Sequence, residues 1–175
     1  MRNSKLTRDF WYSELFGDRI VRPHQVMAGA MLCASVLQPV RNEAGPMTVT
    51  CGYRTPEANA AAKGSASSMH LYGGNPDEPT TLEAAADVNF DKMHGHDMLN
   101  TSKRYALAHD LEQLFRLVAG EFIWYTYTCH WHLGLRNARN EGQLMVSTAP
   151  KKYITIATVA DIIRLDPRLQ GVAAV

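Results

Sequence analysis

Two histidines one residue apart, His130 and His132, stand in the run Cys129-His130-Trp131-His132-Leu133-Gly134-Leu135, whose composition is that of a β-strand. Side chains two apart on a strand share a face, so both imidazoles point the same way. Upstream, His70 in Ser68-Met69-His70-Leu71 and Asp87 in Ala84-Ala85-Ala86-Asp87-Val88-Asn89-Phe90 occupy the inner ends of two short segments of strand character. A carboxylate between Ala86 and Val88 is costly to bury unless it meets a cation, a metal or strong donors. Two neutral imidazoles and one carboxylate leave a fourth position open for water, which is the arrangement of a catalytic zinc. At this level two blander readings stand beside that one. Asp87 caps a turn or pairs with Arg54, and the H-x-H pair serves packing or the surface.

The elements that must position these residues follow from periodicity and turn chemistry. From Asp9 to about Val40 the apolar residues recur at helical spacing, with Pro23 in an early turn and an end near Pro39. Met47-Thr48-Val49-Thr50-Cys51 alternates as a strand and delivers Gly52-Tyr53-Arg54 to its end. Thr55 then caps a short Ala-rich helix through about Ala62, with Pro56 in its first turn, and Lys63 to Ser68 is loop. Ser68–Leu71 and Ala84–Phe90 are predicted as strands lying side by side, parted by the turn-rich stretch Gly74-Asn75-Pro76-Asp77-Glu78-Pro79. An amphipathic helix is predicted over Asn100–Gly120, one or two strands over Phe122–Leu135, a strand over Tyr153–Ile156, and a helix over Thr158–Leu165 ending near Pro167. Trp124, Tyr125, Tyr127 and Trp131 alternate with polar residues, so one face belongs to the core and the other is available to line a groove. Helices flanking a small, mainly antiparallel sheet make an α+β fold.

In order along the chain stand Cys51-Gly52-Tyr53-Arg54-Thr55-Pro56-Glu57-Ala58-Asn59, Ser68-Met69-His70-Leu71-Tyr72-Gly73, Ala85-Ala86-Asp87 and His130-Trp131-His132. This succession resembles the pattern of the zinc D-Ala-D-Ala carboxypeptidases and L-alanyl-D-glutamate endopeptidases, the LAS-type metallopeptidases. With the lead-in Gln38-Pro39-Val40-Arg41, the resemblance covers roughly residues 10–136, and residues 137–175 read as an extension of the same single domain. The resemblance implies a Zn2+ ion held by His70, Asp87 and His132, with His130 beside the reacting centre to stabilise charge or move a proton. It implies that Arg54 holds a substrate carboxylate or carbonyl, which suits guanidinium geometry, and that Ser68 hydrogen-bonds the peptide. The implied substrate is a peptidoglycan stem peptide or crosslink.

Three departures from that pattern are visible. Sixteen residues separate His70 from Asp87, ten more than the pattern has, and Asp77 lies at its usual distance from His70. Asp87 is preferred as the ligand, because Ala-Ala-Asp-Val has strand character whereas Asn-Pro-Asp-Glu-Pro is turn chemistry. A lengthened surface loop adds only about 0.6 kcal/mol of closure entropy per doubling. Cys51 stands where serine is common, and His94-Gly95-His96-Asp97 adds a histidine pair that the pattern does not ask for. Glu121, eleven residues before His132, does not match the spacing at which some branches place a general base, so His130 is placed ahead of it. His24 and His109 fall on helical segments as surface or packing residues.

The chain has 175 residues, 46% hydrophobic and 20% charged, the profile of a folded soluble domain. A net charge of +1 gives no broad electrostatic ground for nucleic acid or a membrane as partner. Three widely spaced cysteines, Cys33, Cys51 and Cys129, form neither a disulfide framework nor a cysteine zinc site. The start lacks a secretion signal and no apolar run is long enough to span a bilayer. The expectation is therefore synthesis in the cytosol and action on the wall by phage-type release or as part of a virion, where other virion proteins become partners. Two rivals remain: a phage tail component keeping the fold with little activity, and a cytosolic D-Ala-D-Ala dipeptidase. Oligomeric state and the particular bond cut are not specified by the residues.

Overall fold

In the computed structural model, residues 4–73, 77–90, 101–138 and 140–171 are described. Helix α1 (Tyr12–Phe16) leads to α2 (Pro23–Leu32), which runs through a widened π-turn at Cys33–Leu37 directly into α3 (Gln38–Ala44). The predicted stop at Pro39 is thus passed. Proline lacks the N–H an α-turn needs and crowds the preceding turn, and the π-turn, closed by Gln38 N–H donating to the Cys33 carbonyl, widens the helix just ahead of it. Strand β1 (Thr48–Cys51) and helix α4 (Pro56–Ala61) follow as predicted, with Thr55 Oγ1 accepting from Ala58 N–H at 3.2 Å. Asn100 lies outside the described residues, and the helix predicted from it comprises α5 (Thr101–Asp110) and α6 (Glu112–Val118), broken at Leu111.

Six strands among the described residues form one sheet in the order β1-β2-β4-β3-β5-β6, with β2 at Ala85–Asn89, β3 at Ala119–Tyr125, β4 at Trp131–Leu135, β5 at Gln143–Ala149 and β6 at Lys152–Thr155. The expectation of a mainly antiparallel sheet is corrected to a mixed one, because β3 and β5 pair in parallel while the other neighbours run antiparallel. The hairpin β3–β4 returns the chain to the start of β3, and the short connection to β5 lets that strand set off beside β3 in the same direction. Gly142, at φ +62°, makes the final turn of this connection. The tail runs through a 3-10 turn at Val159–Asp161 and α7 (Ile162–Leu165) to a last 3-10 turn at Pro167–Leu169.

One face of the sheet is core. Val88, Trp131, Leu133, Phe122, Trp124, Leu144 and Val146 are buried on it, with α2 and the π-turn packed against β4 and α6 against β3. Trp131 is the hub, its ring centroid 5.0 Å from Phe90, 5.7 Å from Phe115 and 5.6 Å from Phe122. The tail is tied down where Trp124 Nε1 donates to Asp166 Oδ2 at 2.7 Å, and Arg168 pairs with the same carboxylate. No helix among the described residues is long and apolar enough to cross a membrane.

The opposite face is kept open by two β-bulges. Val49 pairs with Val88 on the core side, but a shift of register between Val49 and Cys51 sets Cys51 beside Asp87 instead. A second shift between Ala119 and Glu121 sets Glu121 beside Gly134. In a regular strand Cys51 would share a face with Val49, and Glu121 with Ala119; the extra residue turns each to the other face. Gly52, at the end of β1, has no room for a side chain, since a Cβ there would lie 2.5 Å from the Leu15 carbonyl oxygen. Replacing it with alanine must push α1 off the strand end. Gly52→Ala is therefore expected to lower the free energy of unfolding by about 1–3 kcal/mol, measured by urea titration; an unchanged midpoint would show that α1 is not seated as described.

Candidate metal centre

Asp87 lies on β2 with Ala86 and Val88 on either side, paired in register with His132 on β4. Strand alternation turns Ala86 and Val88 toward the helices or their neighbours and leaves the carboxylate on the open face, though only 5% exposed. Three cationic or ionisable groups meet it. His132 Nδ1 is 3.0 Å and His70 Nε2 is 3.5 Å from the same oxygen, Oδ1, while Arg54 Nη2 lies 3.4 Å from Oδ2. The two imidazole centroids are 5.0 Å apart, and both rings are buried. The sequence-predicted trio of His70, Asp87 and His132 is thus brought to one point. Asp77 is exposed and is not among the residues that line the cleft over this point.

His70 reaches this point by a different route from the one predicted. Met69–Leu71 is a 3-10 turn, not a strand, with Ser68 Oγ accepting from His70 N–H and Tyr72 in the left-handed region at φ 50°. That side-chain cap and the turn at Tyr72 leave no extended stretch to pair with β2. The turn is held against the end of β1 by Arg54 N–H donating to the His70 carbonyl at 2.7 Å. The long connection to β2 is anchored by buried Leu82 and by Ala138 N–H donating to the Thr80 carbonyl, so its length does not displace Asp87.

The far nitrogens of both rings are also engaged. His70 Nδ1 is 2.8 Å from the Gly52 carbonyl oxygen, which can only accept, so Nδ1 carries hydrogen and Nε2 faces Asp87. His132 Nε2 is 2.9 Å from Glu121 Oε1. Glu121 fits there because Gly134 opposite it has no side chain; a Cβ would come 2.6 Å from Glu121 Cγ. Partners of this kind on the outer nitrogen fix the ring and its tautomer in histidine metal sites. Glu121 was weighed in the sequence only as a general base. Its hydrogen bond to His132 gives it an orienting place that a regular strand would have denied it.

Cys51 offers a second donor set, since atoms of Cys51, His70 and Asp87 lie within 4.8 Å of one another. Its Sγ sits beside His70 Nδ1 at 3.9 Å, the nitrogen already bonded to Gly52, and accepts from Arg54 Nε at 3.0 Å. The His70 ring cannot offer Nδ1 to sulfur while Nδ1–H is held by the Gly52 carbonyl. Among the described residues Cys51, His70 and Asp87 are the set whose donor atoms all lie within 4.8 Å of one another, and His132 joins it through its 3.0 Å contact with Asp87 Oδ1.

A cleft of about 1110 Å³ opens over these residues, lined on one side by the sheet and on the other by the loop from Lys63 to Ser68. His130 precedes β4, lines the cleft with His132 and packs its ring 5.0 Å from Tyr125. Arg54 and Ser68 also line it, although Ser68 Oγ is engaged in capping the His70 turn and Arg54 is engaged with Asp87 and Cys51. His24 and His109 are on α2 and α5 as expected. His94 and His96 lie outside the described residues.

Charge follows from this geometry. Burial opposes a charged His70, but hydrogen bonds to Asp87 and Cys51 raise it to about 9. Burial likewise opposes charge on His132, and the carboxylates of Asp87 and Glu121 raise it. Burial would raise Asp87, yet the two histidines hold it well below the ordinary carboxylate range. Burial lowers His130 below its usual value, so it is a neutral base at pH 7. Burial raises the Cys51 thiol, and the hydrogen bond with His70 together with the charges of His70 and Arg54 outweighs it, for a net lowering.

The sequence profile of the family described as Peptidase M15 matches residues 12–117. That span takes in Arg54, Ser68, His70 and Asp87 and stops short of Glu121 and His132, which geometry ties to the same point, and of His130, which lines the same cleft. Among curated proteins and among solved structures, none matches the chain.

A pH dependence of stability follows for the metal-free chain. Raised His70 and His132 contribute stability in full below their unfolded value, about 6.5, and lose it as pH climbs toward 9. Depressed Asp87 contributes above about 3.9 and loses it as acid protonates it. Calorimetry in chelator is expected to give a melting temperature that is highest between about pH 4 and 6.5 and falls toward pH 10, with Asp87→Asn flattening the alkaline fall. An Asp87→Asn profile parallel to the parent's would count against the buried pairing.

Proposed function

We propose that this chain, a member of the peptidase M15 family of zinc peptidases, hydrolyses peptide bonds in the stem peptides or crosslinks of bacterial peptidoglycan, with zinc held by His70, Asp87 and His132. The observation that carries this reading is the convergence of His70 Nε2 and His132 Nδ1 on one oxygen of Asp87 at the floor of an open cleft. Two imidazoles and a carboxylate are the donor chemistry of a catalytic zinc with a position left for water. The protons now bridging Asp87 to its histidines are what a divalent cation would replace, so binding should release protons. When bound, zinc polarises a carbonyl and makes water more acidic.

The chain's own residues supply the rest. Glu121 and the Gly52 carbonyl keep the two rings turned toward Asp87. His130, neutral and facing the cleft, is placed to accept a proton and return it to a departing amine. Arg54, held through Nε and Nη2, lines the cleft, and its guanidinium is suited to a substrate carboxylate or carbonyl. Cys51 holds the guanidinium in this pose. The peptidoglycan substrate is supported by the ordered motifs around Arg54, His70, Asp87 and His132 and by a cleft open enough for a peptide.

His132→Ala is expected to lose stoichiometric zinc, read by metal analysis, together with clearing of bacterial walls in a zymogram. His130→Ala should keep zinc and lose about a hundredfold or more in kcat. Cys51→Ser should keep zinc. Full zinc in His132→Ala, or none in Cys51→Ser, would move the ligand assignment to the cysteine set.

A further inference from the structure

The cleft continues past the candidate metal centre along the same face of the sheet, toward the β6 edge. A first row of side chains crosses the strands at Asp87, His132, Ile123 and Met145. One pleat along lies a second row, in which Tyr125 on β3 stands beside Ser147 on β5, and Ser147 beside Tyr153 on β6. The ring of His130 closes the inner end of this row against Tyr125. Tyr127 packs on Tyr125 with centroids 5.6 Å apart, and its hydroxyl is fixed 3.1 Å from Ser147 Oγ. Ser147 is small and fully buried, while Tyr127 and Tyr153 are 45% and 51% exposed. Strands β5 and β6 lie beyond the residues that match the family profile.

We infer that this tyrosine row is a subsite for the sugar portion of the substrate, an N-acetylated hexosamine disaccharide carrying the peptide to be cut. The inference rests on the peptidoglycan reading above. A peptide laid on the face of a sheet finds no backbone partners, because the strands direct their N–H and C=O groups at one another within the sheet plane. The face offers ring surfaces and hydroxyl tips instead. A pyranose has the complementary build, an apolar C–H face and a rim of hydroxyls, and tyrosine meets both with an apolar body and a polar tip. From Tyr125 to Tyr153 the row crosses two strand spacings, roughly 10 Å, the scale of a disaccharide. Tyr127 is already held by Ser147, so little side-chain freedom is lost on binding. The row begins at His130, so a bound sugar would lie next to the position where the peptide is cut, which selects a bond at the sugar-proximal end of the stem over a distal crosslink.

The test gives the zinc-loaded chain one stem pentapeptide with and without its disaccharide, and separately titrates in the peptide-free disaccharide while tyrosine ring resonances are followed. The glycan-linked peptide is expected to show the lower KM. Tyr153→Ala should raise that KM by about five- to tenfold, leaving kcat and the KM of the bare peptide unchanged, and Tyr153→Phe should retain most of the advantage. The titration should shift the rings of Tyr127 and Tyr153. Equal KM values for the two substrates, an equal effect of Tyr153→Ala on both, or silent ring resonances would overturn the subsite. If neither peptide is cut, the peptidase reading fails, and the titration alone decides the sugar site: ring shifts uphold it and their absence refutes it.

Discussion

Asp87 is ionised, nearly excluded from water and set in the interior of a sheet, and a carboxylate so placed destabilises the fold unless cationic groups surround it. The neighbouring architecture answers that requirement. Strand β4 brings His132 in register, the 3-10 turn after Ser68 brings His70, and the end of β1 brings Arg54. These three come from segments far apart in sequence, so the carboxylate acts as the point where the long-range topology is checked. The same arrangement that tolerates Asp87, two imidazoles on one oxygen, is the donor set proposed here for a divalent cation, which would take the place of the protons between them.

Burial also explains why the outer nitrogens matter. An imidazole in a dry site that must turn one nitrogen inward needs an acceptor for the other. The Gly52 carbonyl serves His70, and Glu121 serves His132. Both depend on missing side chains: Gly52 lets α1 close on the end of β1, and Gly134 leaves the space that Glu121 fills. The site is therefore shaped as much by two glycines and two bulges as by the residues that carry its chemistry.

Much of this is legible in the amino-acid sequence. The strand around Asp87, the short helix capped by Thr55, and the division of the aromatic run from Trp124 to Trp131 between a core face and a groove face follow from alternation and capping. Asp87 was preferred to Asp77 for its strand context, and it is Asp87 that meets the histidines. What escaped was governed by single-residue register. The bulges at β1 and β3 move Cys51 and Glu121 to the cleft face, against simple alternation, and no residue pattern announces an extra residue in a strand. The turn that holds His70 looked like a strand because Met-His-Leu is too short for periodicity to separate the two. The parallel pairing of β3 with β5 depends on where a connection lays the returning chain, which local composition does not encode.

X-ray absorption at the zinc edge of the metal-loaded chain tests the centre most directly. The account predicts a shell of nitrogen and oxygen at about 2.0–2.2 Å with the multiple-scattering signature of two imidazoles and no sulfur. A sulfur at about 2.3 Å, or a single imidazole, would contradict it by placing Cys51 on the metal in place of His132.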